Sequence, residues 1–249
     1  EPTSYGIAQA MLSMAKVTSK DLVYDLGCGD GRIVIMAAKE RKARGVGVDI
    51  DPARIKESIE NAKAAGVSNL VRFMEQDLFA TDMTPATVVM LYLWPEVNLK
   101  LRPKLLQDLK PGTRIVSHSH TMGVWKADAT QRVEGHSIYL FTVPSNVTGD
   151  WLWTGLEKSP TRLSIIQKFQ EAQGMIPGKE NEPLLKCTLN GTALRCSGEK
   201  MENGKVRSFL FEGQVSGDTI KGKVKYGARG TSRNVRATRD PSTKVSIAE

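Results

Sequence analysis

The sequence predicts an α/β chain: a mostly parallel sheet with helices on both faces, followed by a small antiparallel β domain, a barrel or a sandwich. Three observations carry this. Short β-branched runs alternate with helical stretches from Asp21 to Val143, a glycine-rich turn joins the first strand to the helix after it, and beyond Pro144 closely spaced turn signals take over.

Taken in order, the pattern gives a helix over residues 6–15, then strands over 22–26, 45–50, 71–75, 88–93, 113–117 and 137–143. Helices over 32–42, 52–65 and 96–109 lie between them. Pro52 stands where a helix begins and its missing N–H costs nothing, and Pro111-Gly112 closes the helix before the fifth strand. After the sheet, Asn190-Gly191, Asn203-Gly204 and Ser216-Gly217-Asp218 separate alternating runs such as 208–215, an antiparallel signature. The expected domains are residues 1–146 and 150–249.

Of the net charge of +8, the second domain carries most, with 17 Lys and Arg against 11 Asp and Glu from residue 150 onward. Such a surface suits an acidic partner, although a solvated barrel face reads the same way. No run of apolar residues is long enough to cross a membrane. The expected localisation is cytoplasmic; because the chain begins at Glu1 without a methionine, membrane association through a segment missing before Glu1 is the alternative. Cys28, Cys187 and Cys196 are too few for a disulfide framework, and reduced thiols are expected. If Asn190-Gly191 is a two-residue hairpin loop, Cys187 faces Leu194 and Cys196 faces Leu185, so the sulfurs are diagonal.

The strongest chemical signal is Val23-Tyr24-Asp25-Leu26-Gly27-Cys28-Gly29-Asp30-Gly31-Arg32. A glycine-rich turn between a buried strand and a helix lets a ligand approach the backbone and meet free N–H groups. The dinucleotide spacing G-x-G-x-x-G is absent because residue 32 is arginine. An acid at Asp25 repels a pyrophosphate and suits the cationic methionine end of S-adenosylmethionine. Asp49 ends the second strand, where a carboxylate can accept ribose hydroxyls, and Asp77 follows the third, within reach of an adenine amino group. Ile50 and Leu78 flank these acids, and Cys28 offers its backbone and small size.

These residues resemble the class I, seven-strand methyltransferases with a Rossmann-like sheet, over residues 3–143. The resemblance implies S-adenosylmethionine as cofactor, held by Thr3, Asp25, Gly27, Cys28, Gly29, Gly31, Asp49, Ile50, Asp77 and Leu78, with Pro2-Thr3 closing over the methionine end. Within that superfamily the run Leu91-Tyr92-Leu93-Trp94-Pro95-Glu96-Val97-Asn98, with Ser117-His118, Met122-Gly123 and Trp125, is most similar to a lysine methyltransferase branch. That branch includes the enzymes acting on the ATP synthase c subunit and the adenine nucleotide translocase. It implies a protein substrate with an acceptor lysine, membrane-associated in the case of those relatives. The alternatives are a small metabolite or RNA as acceptor, or a non-catalytic cofactor-binding adaptor.

Trp94, Pro95, Glu96 and Asn98 are the candidate acceptor-side residues: an aromatic wall for a lysine stem, with Glu96 to take or relay the amine proton. Trp94 as packing under the next helix, and Glu96 as a helix-dipole acid, are the plainer readings. His118 and His120 share a strand face but form an incomplete metal set, so no metal is expected; His118 reads as lining the substrate mouth and His136 as a turn residue. In the second domain Lys221, Lys223, Lys225, Arg229, Arg233, Arg236 and Arg239 form a basic run, read first as a solvated face. Nucleic acid ranks behind a protein as the expected partner.

Overall fold

The computed structural model describes residues 2–156, 159–178, 183–202, 205–227 and 230–247. The chain forms two compact units, Glu1–Val143 and Pro144–Glu249. Among the described residues no helix is long and apolar enough to cross a membrane.

The first unit runs α1 (Tyr5–Met14), β1 (Leu22–Leu26), α2 (Arg32–Arg41), β2 (Arg44–Asp49), α3 (Pro52–Ala64), β3 (Val71–Glu75), β4 (Val88–Leu91), α4 (Pro95–Asp108), β5 (Arg114–His118), β6 (Ala129–Val133) and β7 (His136–Thr142). The sheet order is β3-β2-β1-β4-β5-β7-β6, parallel except that β7 runs antiparallel to both its neighbours. The chain therefore starts in the middle of the sheet, steps outward to β3, then returns to β4 on the other side of β1. Right-handed crossovers leaving in opposite directions put their helices on opposite faces. The point where the order reverses, between β1 and β4, is where ligands bind at the carboxyl ends of such strands.

On one face α1 and α2 pack Ile7, Met11, Leu12 and Val34 against Val23, Val88, Met90 and Val116. Along α4, Leu101, Leu105 and Leu106 are buried. The fourth strand stops at Leu91, two residues short of expectation, and His136 opens β7 instead of lying in the turn. The edge strand β6 was not foreseen. Four of its five residues are exposed, so it carries no alternation of apolar and polar residues to read.

The second unit contains β8 (Gly149–Thr154), β9 (Thr161–Lys168), β10 (Glu171–Met175), β11 (Pro183–Asn190), β12 (Ala193–Glu202), β13 (Lys205–Ser216), β14 (Thr219–Tyr226) and β15 (Ser232–Arg239). They close an antiparallel barrel, with β15 paired to β8. Alternate residues point inward, and Trp151, Trp153, Leu163, Phe209, Phe211, Val224 and Ala237 fill the interior. Arg239 is also buried there. Its Nε donates to Asp218 Oδ1 (2.8 Å), Nη1 to the carbonyls of Asn146 and Thr148 (both 3.0 Å) and Nη2 to that of Gly217 (3.3 Å). The guanidinium lies 4.9 Å from the Trp151 ring centroid.

The free-thiol expectation for Cys187 and Cys196 is overturned, because the two form a disulfide. Asn190 pairs with Ala193, so Gly191 and Thr192 are the central turn residues, and this register sets Cys187 directly opposite Cys196. Gly191 has φ +59° and Thr192 is not in the positive-φ region, as a turn with glycine at its first central position requires. Moving the turn by one residue shifts every cross-strand partner by two, which separates a diagonal pair from a bonded one. Alkylation of the native protein should therefore leave these two thiols blocked until a reductant is added. Reduction should destabilise the barrel by about 2–3 kcal/mol, the entropy of so short a loop, read as a lower unfolding midpoint.

Candidate active site

The strand β1 delivers Asp25 and Leu26 into the turn at residues 27–31. There the N–H groups of Gly27 and Cys28 donate to Val48 O (2.8 and 2.9 Å), tying the turn to the neighbouring strand. Gly31 caps α2 at φ +79°, and a Cβ on it would lie 2.7 Å from Phe73 Cε1 and 2.9 Å from Ser58 Cβ. Only glycine satisfies both constraints. At Gly29 a Cβ would meet nothing within 4 Å, so the backbone is open there to a ligand. Its N–H donates to Asp49 Oδ2 (2.9 Å), while Asp49 Oδ1 takes the N–H of Asp51 (3.0 Å). The acid of the second strand and the turn of the first are thus locked together.

Above this turn lies a cleft of about 330 Å³ lined by Pro2, Thr3, Asp25, Gly27, Cys28, Gly29, Asp30, Arg32, Ile33, Arg54, Glu57 and Tyr92. Thr3 is anchored twice. Its Oγ1 is 3.1 Å from His118 Nδ1, and its carbonyl accepts from Arg32 Nη1 at 2.8 Å. Arg32 also grips Asp30 (Nε to Oδ1, 2.9 Å), and that hydrogen-bonded pairing holds the Asp30 carboxyl below its ordinary range. Asp25 is the opposite case. Burial first, then the nearby charges of Asp49 and Asp30, push its carboxyl up to about 7. Among the described residues no donor or cation reaches it.

On the other side of the cleft the Tyr92 ring stacks on His118 with centroids 3.9 Å apart, and His136 meets His118 edge-on at 5.0 Å. Trp94 is 75% exposed, so it does not pack under α4; its ring lies at 28° to that of His120, centroids 6.3 Å apart. Pro95 and Glu96 form the exposed first turn of α4. Asn98 is fully buried. Its Nδ2 donates to Ser117 Oγ (3.2 Å), which donates to the carbonyl of His120 (2.6 Å). Asn98 therefore positions the His120 segment instead of facing solvent.

Of the sequence-derived cofactor residues, the structure brings Thr3, Asp25, Gly27, Cys28 and Gly29 to the cleft lining, with Gly31 and Asp49 fixing the turn beneath it. Asp77, Ile50 and Leu78 are not in that lining. The exposed Asp77 accepts the N–H of Phe79 (2.8 Å), and Ile50 is 72% exposed. Sequence reasoning missed Asp30, Arg32, Arg54 and Glu57 as wall residues. The first two flank Gly31 inside the motif and were open to notice; the last two, on exposed turns of α3, gave no signal.

An unmatched buried carboxylate beneath an open glycine backbone fits the cationic, zwitterionic end of S-adenosylmethionine and does not fit a pyrophosphate. A family model, the ANTKMT methyltransferase domain, matches residues 25–129. The protein-lysine N-methyltransferase of Saccharolobus islandicus (strain REY15A) is 42% identical over 147 residues, covering 57% of this chain and 91% of that protein. The adenine nucleotide translocase lysine N-methyltransferase of Mus musculus is 29% identical over 120 residues, covering 46% of this chain and 52% of that protein. A crystal structure described as an RNA methyltransferase from Salinibacter ruber in complex with S-adenosyl-L-homocysteine is 50% identical, with TM-score 0.58, covering 59% of this chain and 96% of that one. The chain belongs to the family of S-adenosylmethionine-dependent methyltransferases that includes the Saccharolobus islandicus protein.

Proposed function

We propose that the methyl acceptor is a lysine amine of a protein. The observation that carries this reading is the aromatic wall beyond the cleft, Tyr92 on His118 and the exposed Trp94 beside His120. An aliphatic stem ending in a cation packs favourably on such a surface. The names of the Saccharolobus islandicus and Mus musculus relatives, both lysine methyltransferases, support the same acceptor. The second reading, an RNA acceptor, rests on the description of the Salinibacter ruber structure.

When bound, S-adenosylmethionine supplies an electrophilic methyl group on a sulfonium. The residues of this chain then have to hold the cationic end at Asp25 and present a neutral amine in line with that methyl. Glu96, one residue past Pro95 in the exposed first turn of α4, is the group we assign to take the proton that the amine sheds before attack. Asn98, through Ser117, fixes the His120 side of the wall.

The test is incubation with methyl-labelled S-adenosylmethionine and a methylation-depleted extract, separated into soluble and membrane fractions and hydrolysed to single residues. Methyl-lysine in a protein band is expected, and label confined to RNA or small molecules would overturn the reading. Once the acceptor is in hand, Trp94→Ala should raise its KM roughly threefold to thirtyfold, as loss of one aromatic contact to a cation predicts, with cofactor affinity unchanged.

A further inference from the structure

The basic run of the second unit divides sharply in the folded barrel. Arg239 is buried and fully engaged, and Arg233 turns over the Tyr226 ring at 5.9 Å. Arg229 lies outside the described residues. What remains is an outward array on two adjacent strands: Lys221, Lys223 and Lys225 of β14, all exposed, and Arg236 of β15. Alternate residues of a strand lie about 6.8 Å apart on one face, so the three lysines form a straight row of charge. None of the four has an ion-pair partner among the described residues.

The register places Lys221 directly opposite Arg236. Like charges facing each other across a ladder destabilise it, so the pair is costly to the isolated barrel and is relieved by an anion lying across both strands. The nearest outward acid is Glu212, opposite Lys223 on β13, and it is shared with Arg195 at 3.7 Å. Toward β15 and β8 the other outward residues are Ser232, Asn234, Thr238, Thr154 and Leu152, with Asp150 at the far end bonded to Ser164 Oγ.

We infer that this β14–β15 face docks the phosphodiester backbone of a nucleic acid, without reading its bases. Lysine and arginine interleaved with hydroxyl and amide side chains are the groups that contact phosphate and sugar. Among the described residues the face carries no aromatic ring on which a base would stack, and its one exposed apolar side chain is Leu152. A membrane-binding face inserts several large apolar side chains, and a protein-binding one buries aromatic anchors. A second basic surface, the groove of about 630 Å³ lined by Lys168, Lys186 and Arg195, also holds Glu171 and the exposed Ile166, and lacks the unbroken row. Two methyltransferase relatives, covered to 91% and 96% of their own lengths, match 57% and 59% of this chain, and the matching family model lies within the first unit, at residues 25–129. The barrel thus adds a docking surface to a catalytic unit found without it. The inference stands apart from the lysine reading, because binding is measured with neither cofactor nor acceptor present.

The experiment is fluorescence anisotropy of the full chain against labelled short RNA and DNA duplexes of unrelated sequence, across salt. Two unrelated sequences should bind alike. If four phosphates are neutralised, the slope of log K against log salt is about −3.6, roughly a hundredfold loss between about 50 and about 200 mM. Replacing Lys221, Lys223, Lys225 and Arg236 together by Gln should weaken binding at least tenfold and flatten the slope, with the barrel melting transition no lower than the parent's, because all four are exposed and the Lys221–Arg236 repulsion is removed. Replacing Lys168, Lys186 and Arg195 by Gln is the control for bulk charge, and should cost less than threefold. Three results would overturn the inference: equal loss in both variants, no loss in the first, or failure to bind duplex while phosphatidylserine-containing vesicles are bound.

Discussion

Asp25→Asn is expected to stabilise the ligand-free protein at pH 8 while weakening cofactor binding. The Asp25 carboxyl sits at about 7, against an unperturbed value of 3.8, because burial and the charges of Asp49 and Asp30 oppose its ionisation. A carboxyl raised in this way favours the folded state only while it is protonated. That contribution is complete below about pH 4 and lost as pH rises through about 7. Above that range the ionised group costs the empty fold on the order of 4 kcal/mol, and asparagine removes the cost. The unfolding midpoint of the variant should therefore exceed that of the parent by several degrees at pH 8, with the difference shrinking toward pH 4. Cofactor affinity should move the other way, falling tenfold to a hundredfold as a charge-assisted contact to the cationic end is lost. In the parent, affinity should rise with pH through about 7 and then level, whereas in the variant this rise should vanish. A variant that is less stable at pH 8 and binds cofactor normally would make Asp25 a structural acid.

The second large effect is expected in the barrel. Arg239→Ala should lower its stability by about 3 kcal/mol or more, because three backbone carbonyls, those of Asn146, Thr148 and Gly217, lose their donor together with the Asp218 pairing. Asp218 is itself 44% exposed and can be rehydrated, which keeps the cost at the lower end of what breaking a buried pair brings. Arg239→Lys should recover little, since a single ammonium cannot serve carbonyls and a carboxylate lying in different directions. The fluorescence of Trp151 and Trp153, both buried in the barrel, reports the transition. Cofactor affinity in the first unit should be unaltered, and an equal loss there would show that the two units unfold as one.

The parts of the fold that could be read were those in which local chemistry and tertiary role coincide. The turn at residues 27–31 needs glycine for its backbone and for the approach of Phe73, so its spacing announced a site. β4 was visible because a fully buried strand must be apolar, and β1 because its apolar run is broken by a single acid, Asp25, just before the glycine turn. β6 was hidden because an exposed edge strand needs no such pattern. The hairpin at Gly191 was placed one residue off, since Asn190-Gly191 satisfies one tight turn as readily as Gly191-Thr192 satisfies another, and the disulfide went with it. At the site, Asp25 and Trp94 stood out by type and place. The residues Thr3, Tyr92, Asn98, Ser117 and His118 could be named from the sequence, but the contacts of Thr3 with His118, Tyr92 with His118 and Asn98 with Ser117 join positions far apart in the chain, and no local pattern announces such pairings.

The pairing of β15 with β8 also sets a timetable. The barrel is a ring whose last stave is laid against its first, residues 236–239 against 151–154, so no ring exists until residue 239 has left the ribosome. Until then β8 and the newest strand are both open edges, able to pair with other chains. The first unit completes its sheet with β7, at Thr142, before any of the barrel has been made. During synthesis a finished catalytic unit is therefore followed by a long interval in which an unclosed sheet trails behind it. An unclosed sheet with two open edges is exposed to pairing with other chains until that closure.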